Sequence, residues 1–398
     1  MRCAAEVPFT GTVTTTPHGP IALSARALAP DLARGFMLLF IALANSHYFL
    51  SGSSVLGGFP QDGSAVDSAA TWLIATFVDG RAFPMFGLLF GYGVAQIVRR
   101  QEAAGRWAVR RLLWRRSLVL IGVGFLHSML LYAGDILAAY GVLLFLGVWA
   151  VRWKDRWLLV AAILLFLLGS APGDGSMTIS SEPPDPSMLP PDLLTQFSDR
   201  IVVAPFIALV APIGFACPFL LGLWAGRRRV LEQPERHLPL LRVTAWVGIG
   251  VAVLGAQPIA LVLAGVTPVP NQAVLELFGP MHDSTGVLGG LGYAALIALV
   301  AHRLGSRRGT VVEAIAAVGQ RSMTCYLAQS VVWAVVFTPY LLDLSGTLSV
   351  FTTALLALAT WLGTVLMADR MRRVGYRGPF ELLVRRVTYG RTVVTATS

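Results

Sequence analysis

Long apolar stretches separated by short polar segments make up most of the sequence between residues 32 and 367. Apolar runs of about 17 to 25 residues are typical of helices that cross a membrane. The pattern predicts spans near residues 32–50, 82–98, 113–132, 136–151, 157–171, 201–225, 240–264, 284–302, 322–341 and 348–367. We therefore expect an all-α fold, a bundle of about ten transmembrane helices within residues 26–370.

Basic residues fall on one side of these spans. They cluster at 26–34, 99–116, 152–156, 227–242 and 303–308 and in the tail from residue 370, whereas the loops 51–68, 172–199, 265–283 and 342–347 contain no lysine or arginine. Because loops rich in lysine and arginine stay in the cytoplasm, both termini are predicted to be cytoplasmic. The expected location is the bacterial plasma membrane, with the loop 172–199 outside the cytoplasm.

Composition agrees with a membrane protein, because 55% of the residues are hydrophobic and only 13% are charged. The net charge of +10 would suit a nucleic-acid partner, but the arginines follow the topology pattern instead, so membrane lipids are the expected partners. The three cysteines lie far apart without metal-ligand spacing, so neither a disulfide framework nor a metal site is predicted. Residues 1–25 are expected to form a disordered cytoplasmic tail.

Three segments depart from a plain bundle. The apolar stretch 69–98 is too long for one span and is interrupted at residues 79–81, which predicts a short half-helix near 68–78 followed by a true span. The proline-rich, acidic loop 172–199 is expected to be either disordered or a lid. Residues 371–398 predict a cytoplasmic tail that begins with an amphipathic helix at 380–389.

The segment 110–141 holds the strongest candidate for chemistry. His127 lies eleven residues beyond Arg116 in an apolar run, or roughly 16 Å along a helix, and an ionisable side chain at such a depth suggests a functional site. Histidine is well suited to act as a general base near neutral pH, although a neutral, hydrogen-bonded histidine is an equally simple interpretation. Asp135 could orient His127 or serve only as an N-cap, and His47 is the second candidate base.

Other polar residues suggest binding roles. Arg110, Arg111, Arg115 and Arg116 crowd the start of the helix that holds His127, where they could bind the phosphates of a donor such as acyl-CoA. Lipid headgroups and membrane topology would explain the same arginines. The candidates for substrate binding are Asp31, Arg34, Asn45, Asp79, Arg81, Arg321, Tyr326, Gln329 and Ser330, although helix capping, ion pairing and hydrogen bonds between spans would also account for them.

Sequence motifs along the whole chain carry a resemblance to one family. They are RALAPDLARGF at 26–36, FVDGRAFPMFGLLFGYG at 77–93, GDILAAYG at 134–141, GLWAGRRR at 222–229, GQRSMTCYLAQS at 319–330 and GPFELLVRRVTYG at 378–390. The order of these motifs resembles the DUF418 (YeiB-like) membrane proteins, which we place in the wider transmembrane acyltransferase group. The resemblance implies an acyltransferase-like helical bundle.

The resemblance also implies a reaction. An acyl group would pass from cytoplasmic acyl-CoA, used as a cosubstrate with no tightly bound cofactor, to a hydroxyl or amine of a sugar, lipid or small metabolite. It places the catalytic histidine at either His127 or His47. A transporter or flippase, in which the same residues line a proton or substrate path, is the alternative. A structural or sensory protein is a third interpretation, and the sequence leaves open whether the protein forms a homodimer.

Overall fold

The computed structural model describes residues 27–172, 179, 180, 184–305 and 307–389, and the predicted tail 1–25 lies outside them. The first seven helices of the described chain are α1 (Leu28–Ser46), α2 (Ala65–Phe77), α3 (Ala82–Arg100), α4 (Arg106–Leu130), α5 (Leu137–Gly147), α6 (Asp155–Gly169) and α7 (Leu193–Val210). The next seven are α8 (Pro212–Arg227), α9 (Leu238–Leu263), α10 (Gln272–Leu304), α11 (Thr310–Gln320), α12 (Ser322–Phe337), α13 (Val350–Arg373) and α14 (Pro379–Tyr389). The predicted helical class is confirmed.

Six described segments are long and apolar enough to cross a membrane: Leu28–Phe49, Ala65–Arg100, Leu193–Arg227, Leu238–Leu263, Gln272–Leu304 and Val350–Arg373. The spans predicted near 113–132, 136–151, 157–171 and 322–341 correspond to α4, α5, α6 and α12, which do not meet this criterion. Large apolar side chains nevertheless cover the outer faces of several helices, such as Leu164, Leu209, Leu254 and Leu366, each at least 61% exposed. A helical surface of this kind is suited to lipid, so the chain is a helical membrane protein.

The predicted interruption of the second apolar stretch is confirmed. A capping box starts α2, because Ser64 accepts a hydrogen bond from the Asp67 amide while the Asp67 carboxylate accepts one from the Ser64 amide. The chain then turns between α2 and α3 at Gly80, whose φ of +73° is a conformation that glycine adopts without steric cost. This turn makes room for a second helix to contact the backbone at the break.

Two other boundaries differ from the prediction. The span expected at 201–225 lies within one longer candidate span, Leu193–Arg227, whose two helices α7 and α8 meet at Pro212. The loop expected at 265–283 is in part the first three turns of α10, where the Asn271 side chain accepts a hydrogen bond from the Val274 amide and caps the helix. The polar residues His282 and Asp283 concealed this helix, because they interrupt the apolar run in the sequence.

Packing joins helices that are distant in the sequence. The principal pairs are α9 with α10, α3 with α8, α4 with α5 and α1 with α11. A small antiparallel sheet in the order β2-β1-β3 is formed by β1 (Val55–Leu56), β2 (Phe59–Pro60) and β3 (Ile179–Ser180). The strand β3 belongs to the predicted loop 172–199, so part of that loop is attached to the chain that follows α1.

The two ends of the bundle differ in charge. The end that we call the basic end contains the ion pairs Arg99–Glu232 at 2.6 Å, Arg227–Asp155 at 3.0 Å and Arg372–Glu313 at 2.9 Å. The other end, which carries the small sheet, is called the opposite end. Helix α14 lies at the basic end and packs against α4 and α12, which confirms the predicted helix at 380–389.

Candidate functional site

His127 and Asp135 form a buried pair where α4 ends and α5 begins. Nδ1 of His127 lies 2.7 Å from Oδ1 of Asp135, and the two side chains are 1% and 2% exposed. A carboxylate only accepts hydrogen bonds, so the hydrogen of the imidazole lies on Nδ1. Nε2 therefore carries a lone pair, and it has no hydrogen-bond partner. A histidine held in this tautomer by a carboxylate is prepared to accept a proton at Nε2.

The turn between the two helices explains the position of Asp135. Its second oxygen accepts a hydrogen bond of 2.7 Å from the Ala138 amide, one of the unpaired amides in the first turn of α5. Gly124 lets the two helices approach at this point, because a Cβ there would lie 2.2 Å from the Ala138 nitrogen and 2.5 Å from Oδ2 of Asp135. The N-cap role and the orienting role considered for Asp135 are thus combined in one side chain.

Two residues of α7 hold the end of α4, and neither was among the candidate site residues of the sequence analysis. Gln196 donates a hydrogen bond of 2.8 Å to the Met129 carbonyl, and Arg200 donates one of 3.3 Å to the Ser128 carbonyl. The carbonyls in the last turn of a helix have no partner within it, and a cation there also interacts favourably with the helix dipole. These contacts fix the turn that follows His127.

A cavity of about 310 Å³ lies between α1, α3, α4, α5, α12 and α14. Its volume is at the lower end of the range for small-molecule sites, roughly 300–1,000 Å³. Leu137 and Tyr326 line the part of the cavity nearest to the His127–Asp135 pair. His127 is not part of the cavity lining, but the ring centroid of Tyr326, which does line it, is 5.1 Å from that of His127.

Charged residues line the part of the cavity at the basic end. The arginines are Arg34, Arg100, Arg116, Arg377 and Arg385, and the carboxylates are Asp31, Glu232 and Glu381. Of the four α4 arginines predicted to bind a donor, only Arg116 lines this cavity. Arg111 and Arg115 are exposed, and the Arg110 guanidinium lies 5.9 Å from the ring centroid of Trp107.

The predicted substrate-binding residues are divided among several places. Asp31, Arg34 and Tyr326 line the cavity, and Arg34 donates hydrogen bonds to Asp31 at 3.4 Å and to the Leu89 carbonyl at 3.1 Å. Asn45 accepts a hydrogen bond of 3.4 Å from the Tyr132 hydroxyl. The remaining members of the predicted set, Arg321, Gln329, Ser330, Asp79 and Arg81, lie away from the cavity lining.

Arg321, Gln329 and Ser330 are occupied by backbone contacts. Arg321 donates to the Tyr376 carbonyl from Nε at 3.0 Å and from Nη2 at 2.6 Å, and so fixes the segment before α14. Gln329 donates to the Leu38 carbonyl at 3.3 Å, and Ser330 donates to the carbonyl of Tyr326 at 3.3 Å. Arg321 and Gln329 therefore join α12 to its neighbours, the Ser330 bond lies within α12, and none of the three residues lines the cavity.

His47, the second candidate base, lies under the small sheet at the opposite end. Its ring stacks on Phe59 with the centroids 3.7 Å apart, and the residue is fully buried. Both of its ring nitrogens lack a hydrogen-bond partner, and it does not line the cavity at the basic end. The structure does not bring His47 and His127 together at one wall of that cavity.

A third buried histidine, His282 of α10, was not identified by the sequence analysis. Its Nε2 lies 2.7 Å from Nη1 of Arg81 and 2.9 Å from the Ala75 carbonyl, and its Nδ1 lies 3.4 Å from Oδ1 of Asp283. Arg81 is fully buried and also donates to the carbonyls of Asp79 and Ala252. The signal that could have found His282 is an ionisable residue shortly before an apolar run, which the sequence analysis assigned to a loop.

At the basic end, Glu381 of α14 holds the start of α12. Its Oε1 accepts hydrogen bonds from the amides of Met323 at 2.9 Å and Thr324 at 3.1 Å. A carboxylate is favoured at the N-terminus of a helix, where amides are unpaired and the helix dipole is positive. Burial raises the pKa of the Glu381 carboxyl, and the hydrogen bonds from Thr324 act in the opposite direction. The contact fixes α14 as one wall of the cavity.

The fold and this centre define a helical membrane protein with a buried histidine–carboxylate pair next to an arginine-lined cavity. Residues 225–391 match the family model described as "Protein of unknown function (DUF418)". The chain is 28% identical over 394 residues to "Uncharacterized protein YxaH" of Bacillus subtilis (strain 168), which covers 90% of this chain and 93% of that protein. It is 26% identical over 389 residues to "Uncharacterized protein YeiB" of Escherichia coli (strain K12), with 91% and 96% covered. The C-terminal part of the chain thus matches the DUF418 family, and most of its length is similar to YxaH and YeiB.

Proposed function

We propose that this protein is a multi-pass acyltransferase of the bacterial plasma membrane. It would move an acyl group from cytoplasmic acyl-CoA to a hydroxyl or amine of a sugar, lipid or small-metabolite acceptor. The observation that carries the proposal is Nε2 of His127, a buried imidazole nitrogen with no hydrogen-bond partner among the described residues, on a ring that is held by Asp135 and packs against the cavity-lining Tyr326. Unpaired buried polar atoms are costly, and a proton-accepting role explains why this one is kept.

The proposed topology has ten spans with both termini in the cytoplasm, so that the basic end faces the cytoplasm. Arginine clusters at that end support this orientation. Helices α4, α5, α6 and α12 would complete the ten spans. Polar and broken segments are tolerated at membrane depth where protein surrounds them, and His127, Ser128 and Asp135 are buried within the protein.

In the proposed reaction, His127 acts as general base. Nε2 takes the proton from the hydroxyl or amine of the acceptor while the acceptor's oxygen or nitrogen attacks the carbonyl carbon of the thioester. The tetrahedral intermediate then breaks its carbon–sulfur bond, and the departing CoA thiolate takes the proton back from the imidazolium. Asp135 keeps the imidazole in the required tautomer and stabilises the imidazolium that forms in between. Proton and leaving group balance without any further reactant.

Tyr326 determines access to the base in this proposal. Tyr326 lines the cavity and packs against His127, which does not line it, so in the proposed mechanism the Tyr326 side chain rotates before a thioester reaches Nε2. Side-chain rotation is fast compared with typical turnover, and closure of the ring keeps bulk water away from His127 between reactions.

The test uses inside-out membrane vesicles from cells that express wild-type protein, His127→Gln or His302→Gln. His302 is an exposed histidine at the end of α10, so its substitution is the matched control. Vesicles receive acetyl-CoA or a longer acyl-CoA with a radiolabelled acyl group, and two quantities are followed: label transferred to any other molecule and free CoA thiol. We expect equal transfer by wild type and His302→Gln and loss of transfer in His127→Gln.

Transfer of label at equal rates by all three proteins would contradict the role of His127. Absence of both label transfer and acyl-CoA binding in the wild type, at millimolar acyl-CoA, would reject the donor. The alternative of a transporter or flippase would then have to explain the same buried pair.

A further inference from the structure

Four arginines from four places in the sequence meet around the part of the cavity at the basic end. Arg100 ends α3, Arg116 belongs to α4, Arg377 precedes α14, and Arg385 lies within α14. All four line the cavity and are half-buried. We call them the arginine collar. Arginines that only mark topology point to solvent and lipid, as Arg111 and Arg115 do on α4, so the position of the collar calls for another explanation.

The carboxylates of the same cavity have hydrogen-bond donors outside the collar. Asp31 accepts a hydrogen bond from Arg34, and Glu232 accepts from Arg99 at 2.6 Å and from Gln96 at 2.9 Å. Glu381 accepts hydrogen bonds from the amides that begin α12. Among the described lining residues, five arginines and three carboxylates amount to an excess of positive charge. The excess lies where the cavity meets the basic end.

We propose that the arginine collar binds the phosphate groups of the acyl donor. Guanidinium groups form directional, paired hydrogen bonds with phosphate oxygens, and partial burial strengthens such contacts relative to exposed ones. The inference rests on the proposed function and changes its binding residues: Arg116 stays, Arg100, Arg377 and Arg385 are added, and Arg110, Arg111 and Arg115 are removed.

The volume of the cavity agrees with this assignment. About 310 Å³ accommodates a flexible arm that ends in a thioester but not a nucleotide in addition. The nucleotide and its phosphates must then remain at the basic end, beside the collar, while the arm extends toward Tyr326. Because Arg377 and Arg385 belong to the C-terminal segment, the position of α14 would control how tightly the phosphates are held.

The experiment measures binding to purified protein in an uncharged detergent by calorimetric titration. Neighbouring arginines supply matched pairs: Arg116→Gln against Arg115→Gln, and Arg385→Gln against Arg386→Gln, since Arg115 and Arg386 are exposed and do not line the cavity. The probes are CoA, 3′-dephospho-CoA, pyrophosphate and dioctanoyl phosphatidylglycerol. We expect loss of CoA affinity by about tenfold or more in Arg116→Gln and Arg385→Gln and less than threefold change in Arg115→Gln and Arg386→Gln.

Each outcome decides between the two proposals. If wild type binds CoA and the variants of each pair lose affinity equally, the collar is rejected while the donor remains. If wild type binds neither CoA nor pyrophosphate, the proposed donor itself fails. If the wild type binds dioctanoyl phosphatidylglycerol but not CoA, the collar is a lipid-headgroup site and the assignment is overturned. Should Arg116→Gln fail to fold, Arg116→Lys, which keeps the charge but not the paired geometry, is expected to lose affinity to a smaller extent.

Discussion

Two buried histidines in this protein have opposite surroundings. His127 shares one nitrogen with Asp135 and leaves Nε2 without a partner, beside the wall of a cavity. His282 has contacts at both nitrogens, with Arg81 and the Ala75 carbonyl at Nε2 and with Asp283 at Nδ1. A guanidinium only donates and a carbonyl only accepts, so Nε2 of His282 either accepts from Arg81 or donates to Ala75, and in both cases it has a partner.

Under the proposed function, this difference would separate a reactive histidine from a structural one. Burial and a neighbouring carboxylate are common to both, so neither feature identifies a base. What distinguishes His127 from His282 is a nitrogen without a described partner, close to a space that a substrate could occupy. His282 instead contacts the buried Arg81 at the break between α2 and α3.

The largest difference is expected between His127→Gln and His282→Gln. Loss of the base should lower acyl transfer by about 10²- to 10⁴-fold, whereas loss of His282 should leave the activity of each folded molecule within threefold of wild type. Transfer from labelled acyl-CoA in vesicles, divided by the amount of folded protein, provides the measurement. Equal activity losses in the two variants would remove the distinction between the histidines.

The stability of the protein is expected to depend on the cluster around His282. Arg81→Met removes the guanidinium that contacts the buried His282, and breaking a buried charged contact costs about 3–5 kcal/mol. The apparent melting temperature in detergent should fall strongly, while Arg386→Met, at an exposed position, should change stability by about 0.5 kcal/mol or less. An unchanged melting temperature for Arg81→Met would show that the cluster around His282 is not structural.

The two acidic partners offer a third comparison. Asp135→Asn removes the charge that stabilises the imidazolium and disturbs the tautomer of His127, so transfer should fall by about tenfold or more. Asp283→Asn changes a carboxylate that is 45% exposed and 3.4 Å from its histidine, and we expect no measurable effect. The same vesicle assay, run from pH 6 to pH 9, distinguishes a lost base from a misfolded protein, because only the former alters the shape of the pH profile.

The smallest effect concerns the distance between α4 and α5. Gly124→Ala would place a methyl group against the Ala138 nitrogen and Asp135, and overpacking of this kind typically costs about 1–3 kcal/mol. Gly122→Ala, on the same helix with no atom within 4 Å of the added Cβ, should be neutral or slightly stabilising. Both variants are compared by melting temperature and by transfer activity. A Gly124→Ala variant with the melting temperature and transfer activity of the wild type would mean that close helix approach is not needed to position Asp135.

Local features of the sequence predicted local features of the structure. The interruption at residues 79–81 became the turn between α2 and α3, and the amphipathic segment after Pro379 became α14. His127 and Asp135 are eight residues apart, joined by one turn, so the short connection nearly dictates their contact. The prediction was less accurate where polar residues interrupt an apolar run, as at the start of α10.

The sequence by itself determined the membrane class and the separation of basic and non-basic loops, and it suggested the histidine–carboxylate pair, because hydropathy, charge and short connections act over a few residues. Only the tertiary structure decided which arginines surround the cavity, that Tyr326 lines it beside His127, and that His282 meets Arg81 across 201 positions. Such contacts depend on which helices pack together and on their rotation about their axes. Successive residues of a helix point about 100° apart, so the rotation of α4 decides that Arg116 lines the cavity while its neighbour Arg115 is exposed.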